Sequence, residues 1–173
     1  MLRLSLSILL AFVVSGCGYT TKSLLPSNYK KIYVEAFHNK VNNVDDNNSD
    51  LYVPLLETKI RTAVIDRFLF DGNLKVTDSD NSDLVLTGDL LNVAQDTMRQ
   101  DTNLNVQEYR IRIIVSLTLT EKSTGKVLWR EPSFVGETTC FLTGTPAVTQ
   151  SSAINTALVD LATRIVERTT ENW

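Results

Sequence analysis

The chain is poor in the residues that most often carry chemistry. Its 173 residues include one histidine and two cysteines. The lone His38 has no serine elbow, cysteine or acidic pair at a recognisable spacing, which argues against a histidine-based triad and leaves an exposed loop residue as the expectation. A long apolar run is also missing. The longest, Leu4 to Val14, has eleven residues, where a membrane-spanning helix needs about 20. Nor is there an excess of positive charge: 17 Lys and Arg stand against 20 Asp and Glu, for a formal charge of -3. Phosphate backbones require a basic face, so nucleic acid is a poor partner. No internal repeat is present. With 43% hydrophobic and 21% charged residues, the composition is that of one ordinary globular domain.

The N-terminus departs from that average. Met1-Leu2-Arg3 is a short positive stretch, Leu4 to Val14 is apolar, and Ser15-Gly16 supplies small residues before a cysteine. This is the tripartite pattern of a cleaved secretory signal. Val14-Ser15-Gly16-Cys17 resembles a bacterial lipobox, so residues 1–16 are expected to be removed and Cys17 to carry the lipid anchor. Several acyl chains on one residue make release slow, since each buried methylene contributes about 0.8 kcal/mol. Gly18, rather than an aspartate, follows Cys17 and favours sorting to the outer membrane. Loss of the signal removes Arg3, taking the formal charge from -3 to -3 - 1 = -4. It also leaves Cys140 with no disulfide partner in an oxidising compartment, and a small buried apolar role is expected for it.

Residues 17–30 read as lipidated cysteine and tether, and residues 31–173 as a single domain. Ile32, Val34 and Ala36 alternate with Tyr33, Glu35 and Phe37 as a strand, and a polar loop follows from His38 to Asp50. Leu56, Ile60, Ala63, Val64 and Phe68 recur at helical spacing. Ser49 or Asp50 is the expected cap, Pro54 the first turn, and Asp71-Gly72 the stop. Leu74 to Thr77 forms a second strand, and strand–helix–strand order predicts parallel pairing with the first. Asp83 to Val93 is the next strand. Val106 to Thr120 follows with near-perfect alternation: Tyr109, Ile111, Ile113, Val115, Leu117 and Leu119 on one face, Arg110, Arg112, Ser116, Thr118 and Thr120 on the other, and Ile114 out of pattern. Ser123-Thr124-Gly125 marks a hairpin into Lys126 to Arg130 and on towards Phe141. A last helix, expected to start at Thr145-Pro146, carries Ile154, Ala157, Leu158, Leu161, Ala162, Ile165 and Val166 on one stripe. The predicted fold is α+β: a two-layer sandwich with a mixed, mostly antiparallel sheet of four to five strands and both helices on one face.

Two constellations remain to be weighed. Asp46-Asn47-Asn48-Ser49-Asp50 with Glu57 has the oxygen spacing of a calcium loop. However, Leu51 occupies the position that requires glycine and Pro54 follows, so an Asx-rich helix cap is expected and no cofactor is assigned. The other is basic. Arg110 and Arg112, two apart on one strand, share its water-facing side, and Lys126 and Arg130 follow on the next. Guanidinium groups so placed suit the phosphates of an anionic lipid or glycolipid, and the alternative reading is an ordinary solvated strand face.

Cys17-Gly18-Tyr19, Ser23-Leu24-Leu25-Pro26, Phe70-Asp71-Gly72-Asn73-Leu74-Lys75-Val76, Asp83-Leu84-Val85-Leu86-Thr87-Gly88, Tyr109-Arg110-Ile111-Arg112-Ile113 and Thr124-Gly125-Lys126-Val127-Leu128-Trp129 occur in the order found in the LptE family of lipopolysaccharide-assembly lipoproteins, which the chain resembles over nearly its whole mature length. The resemblance implies a non-enzymatic outer-membrane lipoprotein that plugs and helps assemble the LptD β-barrel and binds lipopolysaccharide. By strand type, not by a strict motif, the resemblance implies that Arg110 and Arg112 correspond to basic lipopolysaccharide-contacting strand positions. The opening strand, helix and strand to Asp89 also resemble modules of the curli-secretion lipoprotein and of the N-terminal domain of TolB. A channel-forming or secretion-associated lipoprotein is therefore the second reading, and a stand-alone lipid-binding lipoprotein the third.

Overall fold

The strand with the clearest alternation organises the molecule. In the computed structural model, which describes residues 25–26, 28–41, 51, 53–142 and 147–171, it is β5, Val106–Glu121. The odd-numbered side chains Tyr109 to Leu119 are each at most 1% exposed. Antiparallel neighbours flank it: β4, Leu84–Gln100, longer than its alternation alone suggests, and β6, Val127–Phe141. Two short strands, β1 (Lys31–Val34) and β3 (Lys75–Val76), extend the sheet in the order β3-β1-β4-β5-β6, and the two-residue β2 (His38–Asn39) adds to β4. The β1–β3 and β1–β4 pairings are parallel, as expected where a helix connects two strands. Between β1 and β2 the chain turns Phe37 inward over Gly88, where an added Cβ would lie 2.3 Å from the ring.

A bulge decides which face of β4 is which. Leu84, Leu86 and Leu90 face the core, and the register then slips between Leu90 and Asn92, so that Val93 takes the next core position. The extra residue reverses the parity of the stretch from Asn92 to Thr97, beyond which the register shifts again. A second slip, in β6 between the partners of Val115 and Leu117, places Pro132 at an irregularity of an edge strand. This is a position where a proline costs no ladder hydrogen bond.

Both helices cover the same face. Helix α1, Leu56–Asp71, buries Leu56, Ile60, Val64 and Phe68 and ends at Gly72, whose φ of 76° is the left-handed stop predicted. Its start differs from expectation. The N-cap is Leu55 at φ 56°, with no side-chain cap, so Pro54 precedes the helix instead of lying in its first turn, while Ser49 and Asp50 lie outside the described residues. Helix α2, Gln150–Thr170, likewise begins later than Thr145-Pro146, which also lie outside them. Just before it, Ala147 bridges to Phe141 and the Val148 amide donates to the Phe141 carbonyl, so residues 147–148 belong to the sheet edge. Thr149 then caps the helix by accepting from the Ser152 amide.

Helix α2 lies directly on β6. A Cβ at Gly136 would come within 2.5 Å of the Leu161 Cα, so only glycine permits this approach. Asp160 and Arg164 also reach the strand's backbone, accepting from the Glu137 amide at 2.9 Å and donating to the Val135 carbonyl. These contacts blunt an edge that would otherwise offer unpaired groups. Cys140 is buried, with its Sγ 3.6 Å from the Tyr109 carbonyl, in the small apolar role expected. No described helix is long and apolar enough to cross a membrane.

Candidate functional site

The uncovered face of the β4–β5–β6 meander carries the polar side chains. At the end nearer the β4–β5 turn it is a ladder of opposite charges. Arg112 donates to Asp96 through Nε at 2.6 Å and through a second nitrogen at 3.1 Å. Arg110 faces Glu137 at 3.8 Å and Arg99 faces Glu108 at 3.8 Å, with Arg99 also stacked over Phe141. The hydrogen bond to Asp96 raises the Arg112 pKa further, so its charge is constant at any physiological pH. Arg110 and Arg112, expected to stand in water, are only 36% and 34% exposed and are neutralised locally.

Asp96 and Glu137 were not legible as partners. Counting by two from Leu84 assigns Asp96 to the core face, and only the bulge at 90–92 turns it to the polar side beside Arg110 and Arg112. Glu137 reaches Arg110 diagonally from its place opposite Arg112, a register set by the irregularity near Pro132. Lys126 and Arg130 are not part of this ladder. Lys126 is exposed just after Gly125, and Arg130 pairs opposite Thr118, six positions along β5 from Arg112 or about 20 Å. The four cations therefore form two groups, one towards each end of the sheet. Ile114, the residue out of pattern, lies between them opposite Asn92 and Val135, half-buried.

The middle of this face holds a shallow groove of about 280 Å³ lined by Glu35, His38, Lys40, Asp89, Ser116 and Thr118, among others. Asp89 is its hub. It accepts from Lys40 Nζ at 2.9 Å and from Ser116 Oγ at 3.1 Å, with His38 Nδ1 at 3.5 Å. The Lys40 hydrogen bond, helped by Ser116, holds the Asp89 carboxyl below the usual carboxylate range. A serine, a histidine and an aspartate meet here, but the serine hydroxyl is directed at the carboxylate and not at the imidazole. That is the wrong order for proton transfer from a nucleophile. His38 lies on β2, exposed, rather than in the loop.

Among the described residues no group of three or more His, Cys, Asp or Glu is placed to hold a metal ion. Asp46 to Asp50 lie outside them, and Glu57 accepts a hydrogen bond from Asn39 at 3.4 Å. Cys17 lies outside them as well.

Fold and site together define a class: a two-layer α+β domain with helices on one side and a broad, polar, charge-laddered sheet surface on the other. The LptE lipopolysaccharide-assembly family model matches residues 29–169, and the chain belongs to that family. It is accordingly a lipopolysaccharide-assembly lipoprotein of the outer membrane. A comparison with curated proteins finds no match. Among solved structures, protein XCC0632 from Xanthomonas campestris is 16% identical over 83% of this chain and 88% of its own, with a TM-score of 0.56. A PelC dodecamer from Paraburkholderia phytofirmans is 13% identical over 88% and 96%, at 0.52. Lipoprotein B from Nitrosomonas europaea is 10% identical over 89% and 87%, at 0.50. At these identities the likeness concerns the fold alone.

Proposed function

We propose that the chain is anchored by acylated Cys17 on the periplasmic side of the outer membrane, docks as a plug into an LptD-like β-barrel, and binds lipopolysaccharide during its passage to the surface. The observation that carries this reading is the family match over residues 29–169, which takes in every named strand and helix but for the last residue of α2. A wide barrel has a polar lumen, and the sheet's polar face is the surface suited to it. The ion-pair ladder supports a refined role for Arg110 and Arg112. A guanidinium has five N–H donors, and two on Arg112 are engaged by Asp96. Lipopolysaccharide phosphates would accept from the remaining donors of guanidiniums whose orientation the carboxylates already fix. Lys126 and Arg130, towards the other end, would form a separate contact.

The test is extraction in mild detergent followed by size analysis. A one-to-one complex with a large barrel is the expected result. A ring of copies would favour the channel-forming reading instead, and an isolated chain the carrier. In the purified complex, Arg110→Gln with Arg112→Gln should weaken lipopolysaccharide binding at least tenfold at low salt, and unchanged binding would remove these residues from the contact. Glutamine is the right replacement, because glutamate would set like charges against Glu137 and Asp96.

A further inference from the structure

The groove around Asp89 is left unused by phosphate contacts at Arg110 and Arg112, and its lining excludes most kinds of ligand. Glu35 and Asp89 bring two carboxylates to it, and Lys40 and His38 two basic side chains. A free anion would meet the carboxylates. A metal ion would need three His, Cys, Asp or Glu within reach, a group found nowhere among the described residues. An apolar ligand would strip water from charged and polar groups without replacing it. What remains is a neutral ligand that donates and accepts hydrogen bonds side by side. The Glu35 carboxylate, half-buried just beyond β1, has no hydrogen bond or ion pair among the described residues. Lys40 has three N–H donors, one of them engaged by Asp89. Thr118 adds a half-buried hydroxyl to the same lining. A hydroxyl both donates and accepts, so a sugar, which carries several on a small neutral frame, matches this groove.

We propose that this groove binds sugar hydroxyls of the same glycolipid whose phosphates contact Arg110 and Arg112. The inference rests on the lipopolysaccharide reading and extends it from the phosphates to the sugars. Ser116, in the groove, is four positions along β5 from Arg112 and on the same face, or about 13 Å away. A short oligosaccharide spans that distance, so one molecule reaches both. Ile114 lies midway with Val135 opposite it, and neither is among the residues packed into the core. The break in the alternation of β5 thereby gains a use: an aliphatic pair between two polar sites packs against the C–H face of a sugar ring. Asp89 is already held by Lys40 and Ser116, which leaves Glu35 and Thr118 as the side chains that bond the sugar directly. Selectivity for sugar then lies in the groove, and attraction for phosphate in the ladder. A phosphate-bearing lipid without sugar engages only the ladder.

The test measures binding of the full chain, purified in mild detergent, to lipopolysaccharide and to phosphatidic acid, which has a phosphate and acyl chains but no sugar. The parent should bind lipopolysaccharide about tenfold more tightly or better, as expected of several added hydrogen bonds. Glu35→Ala and Thr118→Val, two changes on the open face that empty no core position, should each lower lipopolysaccharide affinity about threefold or more and leave phosphatidic acid binding unchanged. Arg110→Gln with Arg112→Gln should instead weaken binding of both lipids. Equal affinity of the parent for the two lipids would overturn the sugar site. So would groove variants that keep the parent's lipopolysaccharide affinity, or that lose both lipids alike. A parent that binds neither lipid would overturn the lipopolysaccharide reading itself.

Discussion

The two faces of β5 are built from the same strand and behave differently. On one face Tyr109, Ile111, Ile113, Val115, Leu117 and Leu119 form an unbroken apolar row under two helices. On the other, Arg110, Arg112, Ser116 and Thr118 are half-buried by cross-strand partners: Arg112 by Asp96, Arg110 by Glu137, Ser116 by Asp89. The first face is stabilised by area removed from water, which needs no particular partner. The second is organised by direction and distance, so a one-residue slip in a neighbouring strand would change every pairing on it. Stability therefore concentrates on the covered face, and partner-specific pairing on the open one.

The contrast can be broken most strongly from the covered side. Leu161 is fully buried against β6, and Leu161→Ala should cost about 2 to 5 kcal/mol in urea unfolding, because a cavity adds to the lost transfer energy. A cost near zero would mean that α2 contributes little to the core. Gly136→Ala attacks the same contact from the opposite direction. Its new methyl meets the Leu161 backbone, and overpacking of about 1 to 3 kcal/mol should appear as a lower melting temperature.

The open face should respond far less. Arg112→Gln and Asp96→Asn, singly and together, should give a coupling of about 0.2 to 1 kcal/mol, the range for a partly exposed pair. A coupling of several kcal/mol would show that the ladder is a structural element and not a recognition surface.

The remaining effects are confined to the ends of the pH profile, and they have opposite signs on the two faces. Asp89 is held below the usual carboxylate range chiefly by Lys40. Its contribution is complete above the unfolded value of about 3.9 and is lost as pH falls through the lower folded value. On the covered face, burial, with Cys140 adding to it, pushes the Tyr109 phenol up to about 12. The folded state then holds a proton that the unfolded state releases above about pH 10, so stability falls from there towards 12. Asp89→Asn should flatten only the acid limb of a stability–pH curve and Tyr109→Phe only the alkaline one. Crossed responses would refute the assignment.

What the sequence determined by itself was whatever depends on spacing within one segment. The apolar row of β5, the stripe of α2, the glycine stop at Gly72 and the hairpin at Gly125 all follow from local periodicity or backbone preference, because burial of an apolar row is the same whatever lies opposite. Strand–helix–strand order likewise announced the parallel pairing of β1 and β3. Tertiary structure alone decided what depends on neighbours distant in the chain. The bulge at 90–92 turned Asp96 towards Arg110 and Arg112, the irregularity near Pro132 set Glu137 opposite Arg112, and the bridge at Ala147 held residues 147–148 at the sheet edge ahead of α2. The hydrogen bond from the Tyr29 hydroxyl to Glu121 joins residues 92 apart in sequence. No periodicity records such a contact, since its energy comes from geometry that exists only once the strands are in register.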